Sequence, residues 1–286
     1  MNFFILISPS LNTPRLAFWL GLLLTLVSVL GRADHLSQPS GNLLYDIQNP
    51  FVYIPRVQFE NHFDTGEGPY DASTYRLRLR PIIPVNLTDE IGLRTRTTFN
   101  MTYQSALYPG GANQLGFGDM DLEFWLTNNR SLAHDALIVG FGPSVHVPTA
   151  TQNLIGLNQW GMGASAAVIW QPATIYALKG WTLGFNVNQS FGIAAGGGTE
   201  AARLMFLNPG ISYTTESALA FNVYSETVYN WNSQQWTVPV NASVSTLSEP
   251  WGQNVVVTVA GRYYADRGLW DPQWGAQLNF NFLFPP

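Results

Sequence analysis

Trp274-Gly-Ala-Gln-Leu-Asn-Phe-Asn-Phe-Leu-Phe284, which stops two residues short of the chain's end, decides the fold class. Trp274, Ala276, Leu278, Phe280, Phe282 and Phe284 alternate with Gln277, Asn279 and Asn281, so a period-two strand has one greasy face and one amide face. An amphipathic strand that closes the chain on an aromatic residue is how bacterial outer-membrane barrels finish. Leu278, Phe280, Phe282 and Phe284 would then meet lipid, and the amides a lumen. By itself the segment reads equally well as a half-buried strand of a soluble sandwich.

The other end of the chain separates these readings. An apolar run from Leu16 to Leu30 follows Arg15, and Gly31-Arg32-Ala33 places small residues where a signal peptidase cuts, so residues 1–33 read as a secretory leader cleaved after Ala33. The lead before Arg15 is long for such a signal. The run is shorter than the roughly 20 apolar residues of a membrane-spanning helix, and no later stretch reaches that length. The expected organisation is a leader over 1–33, an N-terminal periplasmic segment over 34–50 and a barrel over 51–286.

Only 11% of the residues are charged and 14% are aromatic. A soluble surface usually carries about 25% charge, so lipid is expected to cover much of this protein. Losing Arg15 and Arg32 with the leader moves the formal charge from −5 to about −7, which argues against a nucleic-acid partner. The chain has no cysteine, so it has no disulfide framework, no thiolate metal site and no cysteine for a lipoprotein anchor. Export without disulfides suits the envelope of a Gram-negative bacterium. The expected partners are outer-membrane lipid and the barrel-assembly machinery, with the chain as a monomer.

Alternating segments follow one another at 51–63, 73–85, 91–105, 117–128, 135–147, 159–170, 181–193, 202–213, 218–230, 235–246, 253–265 and 273–284. The pattern predicts an all-β, antiparallel, up-and-down transmembrane barrel of about 12 strands. Connections 64–72, 106–116, 148–158, 194–201 and 266–272 are mostly long and rich in Gly, Asn and Pro, while 86–90, 129–134 and 214–217 are short. Long outer loops and short periplasmic turns give that alternation. Segments 171–180 and 231–234 break it in length, which leaves the count open by one hairpin.

Parity also places the charges. Opposite Tyr75, Leu77 and Leu79 stand Arg76, Arg78 and Arg80, and opposite Leu93, Phe99 and Met101 stand Arg94, Arg96 and Asn100. The strand before them adds Arg56, Gln58, Glu60 and His62, and the strand after adds Asp119, Asp121 and Glu123 opposite Met120, Leu122 and Phe124. An arginine on lipid at the bilayer midplane costs about 2–4 kcal/mol, so these groups are expected inside. Symmetric hairpins would set Glu60 beside Arg76 and Arg80 beside Arg96. The cluster reads either as a pore lining that steers solute or as an internal salt-bridge plug. Later strands offer a milder inner wall of Asn186, Asn188, Ser190, Asn222, Glu226, Asn241, Ser243, Ser245 and Arg262.

Several stretches carry a family likeness. Asn49-Pro50 to Phe63, Gly116-Phe-Gly-Asp119, Gly140-Phe-Gly-Pro143 with Val147-Pro-Thr-Ala-Thr151, Trp160-Gly-Met-Gly163, Asn208-Pro-Gly-Ile-Ser-Tyr-Thr-Thr215, Trp236-Thr-Val-Pro239 and Arg262-Tyr-Tyr264 occur in that order along most of the mature chain. In these the chain resembles the bacterial outer-membrane proteins grouped under the MetA pathway of phenol degradation, often named simply transporters and sometimes labelled neuromedin U. The resemblance implies an outer-membrane barrel that passes small molecules, aromatic or hydrophobic ones among them. It implies no catalytic residues. The Pro285-Pro286 ending departs from the pattern and bears on recognition during assembly more than on the fold.

Enzyme signatures are weak by comparison. Ser144-Val-His146 invites comparison with the twelve-stranded outer-membrane phospholipases, which use His and Ser two apart facing lipid, but here the order is reversed and both residues take the polar parity. His35, His62, His134 and His146 are scattered without metal-ligand spacing, and the Gly-x-Gly pairs lack a third glycine and a following helix, so neither metal nor cofactor is expected. Asn100-Met-Thr102, Asn188-Gln-Ser190 and Asn241-Ala-Ser243 match the glycosylation sequon, yet a polar inner wall with period two produces that pattern unaided. The sequence thus predicts a non-enzymatic channel or uptake barrel, with a closed structural or interaction barrel as the rival reading and a soluble secreted β-protein as a distant third.

Overall fold

The computed structural model describes residues 42–129, 132, 137–172, 175–194 and 200–285. The leader expected over 1–33, with its cleavage site, lies outside these residues, as do His35 and His134. Fourteen strand segments form one antiparallel sheet: β1 (Arg56–Glu67), β2 (Ala72–Asn86), β3 (Ile91–Gln104), β4 (Gln114–Phe117), β5 (Met120–Asn128), β6 (Leu137–Val147), β7 (Trp160–Trp170), β8 (Trp181–Ala194), β9 (Arg203–Thr214), β10 (Leu219–Ser225), β11 (Thr227–Asn230), β12 (Gln235–Ser248), β13 (Val255–Asp266) and β14 (Trp274–Leu283). Each strand pairs with its neighbour, and β1 also pairs with β14, so the sheet closes.

Two wall strands are interrupted, which reduces fourteen segments to a circuit of twelve. β4 and β5 both pair with β3, but their registers differ by one residue, so Gly118-Asp119 forms a bulge. The bulge flips parity: Phe117 faces out while Asp119 turns inward. An unbroken strand over 117–128 does not form for that reason. β10 and β11 are parts of one strand with Glu226 between them, and both keep a single register on β9 and on β12. Continuing those registers puts Ser225 opposite Pro209 and Glu226 opposite Pro239. Neither proline has an N–H to give, so the ladder lapses there.

The outer face is mostly apolar, with Asn61 and Gln189 among its few polar side chains: Phe141 and Val259 are 63% and 61% exposed, and Leu278 is exposed beside Val259. Phe280 and Phe282 share this face through pairing with Phe59 and Val57, Phe59 packing edge-on against Phe282 at 5.6 Å. Phe284 is exposed just past the end of β14. Aromatic pairs ring both rims. Trp181 and Tyr213 pack at 5.1 Å near the mouth where β1 begins and β14 ends, the proximal mouth, and Tyr263–Trp274 (4.6 Å) and Tyr229–Trp236 (4.5 Å) pack near the distal one. An apolar belt between aromatic girdles, on closed strands mostly of nine or more residues, is a transmembrane barrel.

The segment before β1 does not extend the wall. A first strand over 51–63 is corrected to one that begins at Arg56, because Pro50 and Pro55 cannot donate to a ladder and the chain between them turns into the lumen. One helical turn, α1 (Leu43–Asp46), is capped by the Asn42 side chain, which accepts from the Tyr45 N–H. Leu44 and Ile54 are fully buried against Ala220, Val256 and Leu283, whose inward side chains come from the proximal ends of β10, β13 and β14. Phe51 inserts further along, edge-on to Trp125 at 6.0 Å and packed with Ala167 and Ile169. A Cβ on Gly140 would lie 2.5 Å from the Phe51 ring, so the wall there accommodates the plug only as glycine.

Candidate functional site

The twelve charged residues singled out in the sequence separate into groups with different partners. Arg56 and Arg94 hold the plug. Arg94 is buried and donates through Nε to the Phe51 carbonyl (2.7 Å) and through its terminal nitrogens to the Val85 carbonyl and Asn129, while Arg56 donates to the Pro50 carbonyl at 3.1 Å. Tyr45 donates its hydroxyl to the Trp181 carbonyl, and Gln171 donates to the Tyr45 carbonyl at 2.7 Å. The segment from Asn42 to Pro55 is therefore tied to several strands around the proximal mouth.

Above the plug, charges meet in the middle of the lumen. Glu60 opposes Arg78 in the β1–β2 register, and Arg96 opposes Ile82 in the β2–β3 register, which corrects the symmetric pairing of Glu60 with Arg76 and of Arg80 with Arg96. The turns set this offset. The strands reverse around Asp89 rather than Thr88, with the Leu87 and Thr88 N–H groups both donating to the Ile91 carbonyl. Arg80 pairs with Glu60 at 2.9 Å, and Arg78 reaches Glu226 at 3.1 Å. β2 and the β10–β11 break stand five steps apart around the circuit through β1, β14, β13 and β12, one step short of diametrically opposite. The Arg78–Glu226 pair thus bridges the lumen. Arg262 contacts the other oxygen of Glu226 and also meets Asp64, Asn241 and buried His62.

The other acids go elsewhere. Glu123 pairs with Arg96, whose Nε donates to it at 2.7 Å while the guanidinium stacks over Trp125 at 4.9 Å. Asp119 and Asp121 flank His146 near the distal mouth, at 3.1 Å from its Nε2 and 2.7 Å from its Nδ1. Asp119 also accepts from the Ala150, Leu157 and Asn158 N–H groups and so anchors the connection between β6 and β7. Arg76 makes no ion pair among the described residues. Ser144 points inward and meets Asn188 at 3.3 Å, with both nitrogens of His146 already engaged by carboxylates. A serine nucleophile there lacks the free imidazole it needs.

Between plug and bridge lies a chamber of about 360 Å³. Its floor is Ile47 to Phe51, and Glu60, Tyr224 and Glu226 line its upper part. The remaining lining is mainly amide and hydroxyl, with the buried rings of Trp125 and Phe51 at its border. On its wall the side-chain oxygens of Asn186, Asn279 and Asn281 are buried without a hydrogen-bond partner among the described residues, and so is the Nε donor of Arg80.

The sequence reading missed the plug. Its signal was present in two places: Leu44, Phe51 and Ile54 in a segment that otherwise looks like linker, and apolar residues at inward positions near the proximal mouth, notably Trp125, Ala167, Ile169, Ala220, Val256 and Leu283. A wetted wall has no use for those six side chains unless something apolar covers them.

With this geometry in view, the barrel can be set against solved structures. The COG4313 outer membrane channel from Pseudomonas putida F1 superposes with a TM-score of 0.63 at 12% identity, over 88% of this chain and 99% of that one. The chains share the twelve-strand barrel fold. The KdgM porin aligns with a TM-score of 0.48 at 9% identity, over 80% of this chain and 99% of that one. Outer membrane phospholipase A from Escherichia coli gives 0.45 at 12% identity, over 86% of this chain and 96% of that one. No family model matches the chain, and no curated protein matches it.

Proposed function

We propose that this protein is a gated outer-membrane channel for small molecules, with its proximal mouth in the periplasm and its leader removed on export. The observation that carries the reading is the polar chamber, which lies across the barrel between the plug segment and the Arg78–Glu226 bridge. A barrel that served only as a scaffold has no need of unsatisfied amides in its interior, each of which carries a desolvation cost. Likeness in fold to a protein named as an outer-membrane channel supports both the location and the role. The resemblance to the MetA-pathway proteins adds small aromatic molecules to the candidate cargo. No catalytic role is assigned.

The rival reading, a closed barrel with an internal plug, is favoured by one feature. The Arg78–Glu226 bridge and the plug together obstruct the lumen at two levels. Planar-bilayer recording on the refolded chain separates the two readings. A gated channel shows discrete openings that become longer or larger when Phe51→Ala and Arg94→Ala loosen the plug. A parent and a loosened variant that are both silent, while folded as barrels, would overturn the channel reading.

A further inference from the structure

The connection between β6 and β7, residues 148–158, begins as a continuation of the wall. The Thr151 N–H donates to the Phe117 carbonyl at 2.9 Å, the Thr151 hydroxyl accepts from the Phe117 N–H at 3.0 Å, and the Thr149 hydroxyl donates to the Gly118 carbonyl. These bonds occupy the edge of β4 that β6, ending at Val147 opposite Met120, is too short to reach. The chain then turns inward. Gly116 opposes Thr102, which is buried on the inner face, so a side chain at Gly116 would face the lumen. A Cβ there would lie 2.2 Å from Thr151 Oγ1, 3.1 Å from Ile155 Cδ1 and 3.2 Å from Gln152 Cγ, and a Cβ on Gly118 would lie 3.1 Å from the Ile155 carbonyl oxygen. Residues 151–155 therefore cover the lumen side of β4, in space that is free only because glycines stand behind them.

One carboxylate holds the turn. Asp119, buried at the bulge, accepts from the Ala150 N–H at one oxygen and from the Leu157 and Asn158 N–H groups at the other, so both ends of the inward segment are tied to a single wall residue. The ring of His146, between Asp119 and Asp121, fixes where that carboxylate stands. Gly156 closes the turn without room for a side chain, since a Cβ would lie 2.3 Å from the Ala150 Cβ and 2.7 Å from Asp119 Oδ2. An inward backbone needs acceptors for its N–H groups, and an ionised carboxylate is a strong one. We infer that residues 148–158 form a strap that narrows the distal mouth and limits the size of what enters the lumen, with Asp119 as its latch. The role in entry rests on the channel reading. Size is then selected at the distal mouth, and closure is made at the plug.

The chain has no cysteine, so one introduced thiol reports access to the lumen. Arg76→Cys sets it level with the strap, because Arg76 opposes Thr102 and Thr102 opposes Gly116, and the change breaks no ion pair among the described residues. The Arg78–Glu226 bridge and the plug lie on its proximal side, so reagents reach it through the distal mouth. The full chain with this change, folded in detergent, is treated with N-ethylmaleimide and with maleimide-polyethylene glycol, which share one chemistry and differ in size. The polymer is expected to react at least tenfold more slowly. Adding Asp119→Ala should raise the polymer rate at least tenfold with little change for N-ethylmaleimide, since each hydrogen bond to a charged group supports about a tenfold or larger preference for the bonded state. Gly156→Val, which displaces the turn without altering the wall, is the second variant in case the first does not fold, and heat-modifiable mobility on a gel reports folding. Hydrogen exchange at the Ala150, Leu157 and Asn158 amides should accelerate in both, with β3 amides unchanged. No reaction with either reagent, equal rates for the two, a polymer rate that neither folded variant moves, or exchange that accelerates in β3 as well would each overturn the strap. Bilayer recording keeps it apart from the channel reading. Size-selective labelling without openings leaves the strap and removes the channel, whereas openings without size selection remove the strap alone.

Discussion

The two arcs of the inner wall face the same lumen and satisfy it differently. From β1 to β5, and again at Glu226 and Arg262, the wall is charged: Arg78, Arg80, Arg96 and Arg262 each meet a carboxylate across a short distance, while Arg56, Arg76 and Arg94 make no ion pair among the described residues. From β8 to β10 and on β12 and β14, the wall is mainly amide and hydroxyl, and several of its buried oxygens have no partner among the described residues. The ion pairs of the charged arc thus hold the barrel's cross-section together, with unmet donors left at Arg56 and Arg80, while the neutral arc keeps its spare hydrogen-bonding capacity in amide and hydroxyl oxygens. An inward polar residue is structural where its partners are present, and carries an unmet hydrogen bond where they are missing among the described residues.

The largest expected effect comes from the charged arc. Glu226→Gln leaves Arg78 and Arg262 facing each other across the lumen, and breaking a buried pair by removing one partner costs about 3–5 kcal/mol. Guanidinium unfolding of the barrel in lipid vesicles should show that loss. A change under about 1 kcal/mol would mean that the bridge is solvated and that the two arcs do not differ as described. Next is a reference outside both arcs: Val259→Arg puts a charge on the lipid face and should lower folding stability by about 2–4 kcal/mol in the same assay. Tolerance of that change would move β13, and the facing of Arg262 with it.

Period two made most of this architecture legible. The alternation in β14 and in the Arg76-Arg78-Arg80 run gives the closed barrel, its strand number and the facing of its charges without any knowledge of contacts. Register was beyond it, because a turn that shifts its centre by one residue moves every pairing by two, as at Leu87 to Glu90. The bulge at Gly118-Asp119 was hidden for a similar reason: one extra residue flips parity, and composition does not mark where it falls. Partnership across the lumen was least legible. Nothing local to Arg78 says that it reaches the strand break at Glu226 rather than the neighbouring Glu60 alone, and that choice separates a plug from a lining.

A third test sits where the arcs meet the plug. Arg94 is buried, belongs to the charged arc by position and yet makes no ion pair among the described residues; its donors go to carbonyls and an amide. Arg94→Met keeps the side-chain stem and removes the hydrogen bonds. A hydrogen bond to a charged group contributes about 1.5–3 kcal/mol, so release of the segment from Asn42 to Pro55 should become that much easier. Hydrogen exchange at the Tyr45 and Ile47 amides, compared with amides in β12, measures the release directly. Faster exchange in the plug with β12 unchanged is the expected result. Equal acceleration in both would show that the plug is part of the barrel's cooperative unit rather than a separable gate.

The smallest expected effect is the most discriminating for the neutral arc. Asn281→Leu replaces a half-buried amide, whose buried oxygen has no partner among the described residues, by a side chain of similar size, and an unsatisfied buried acceptor is a cost that its removal relieves. Stability of the empty barrel should then stay within about 1 kcal/mol of the parent, or rise, in contrast to the loss at Glu226. Both residues are inward and both line the same chamber, and they differ in charge and in their partners. A loss of several kcal/mol from Asn281→Leu would mean that the amide does have partners in the folded barrel, and the division of the wall into a committed arc and a spare one would fail at the residue that defines it.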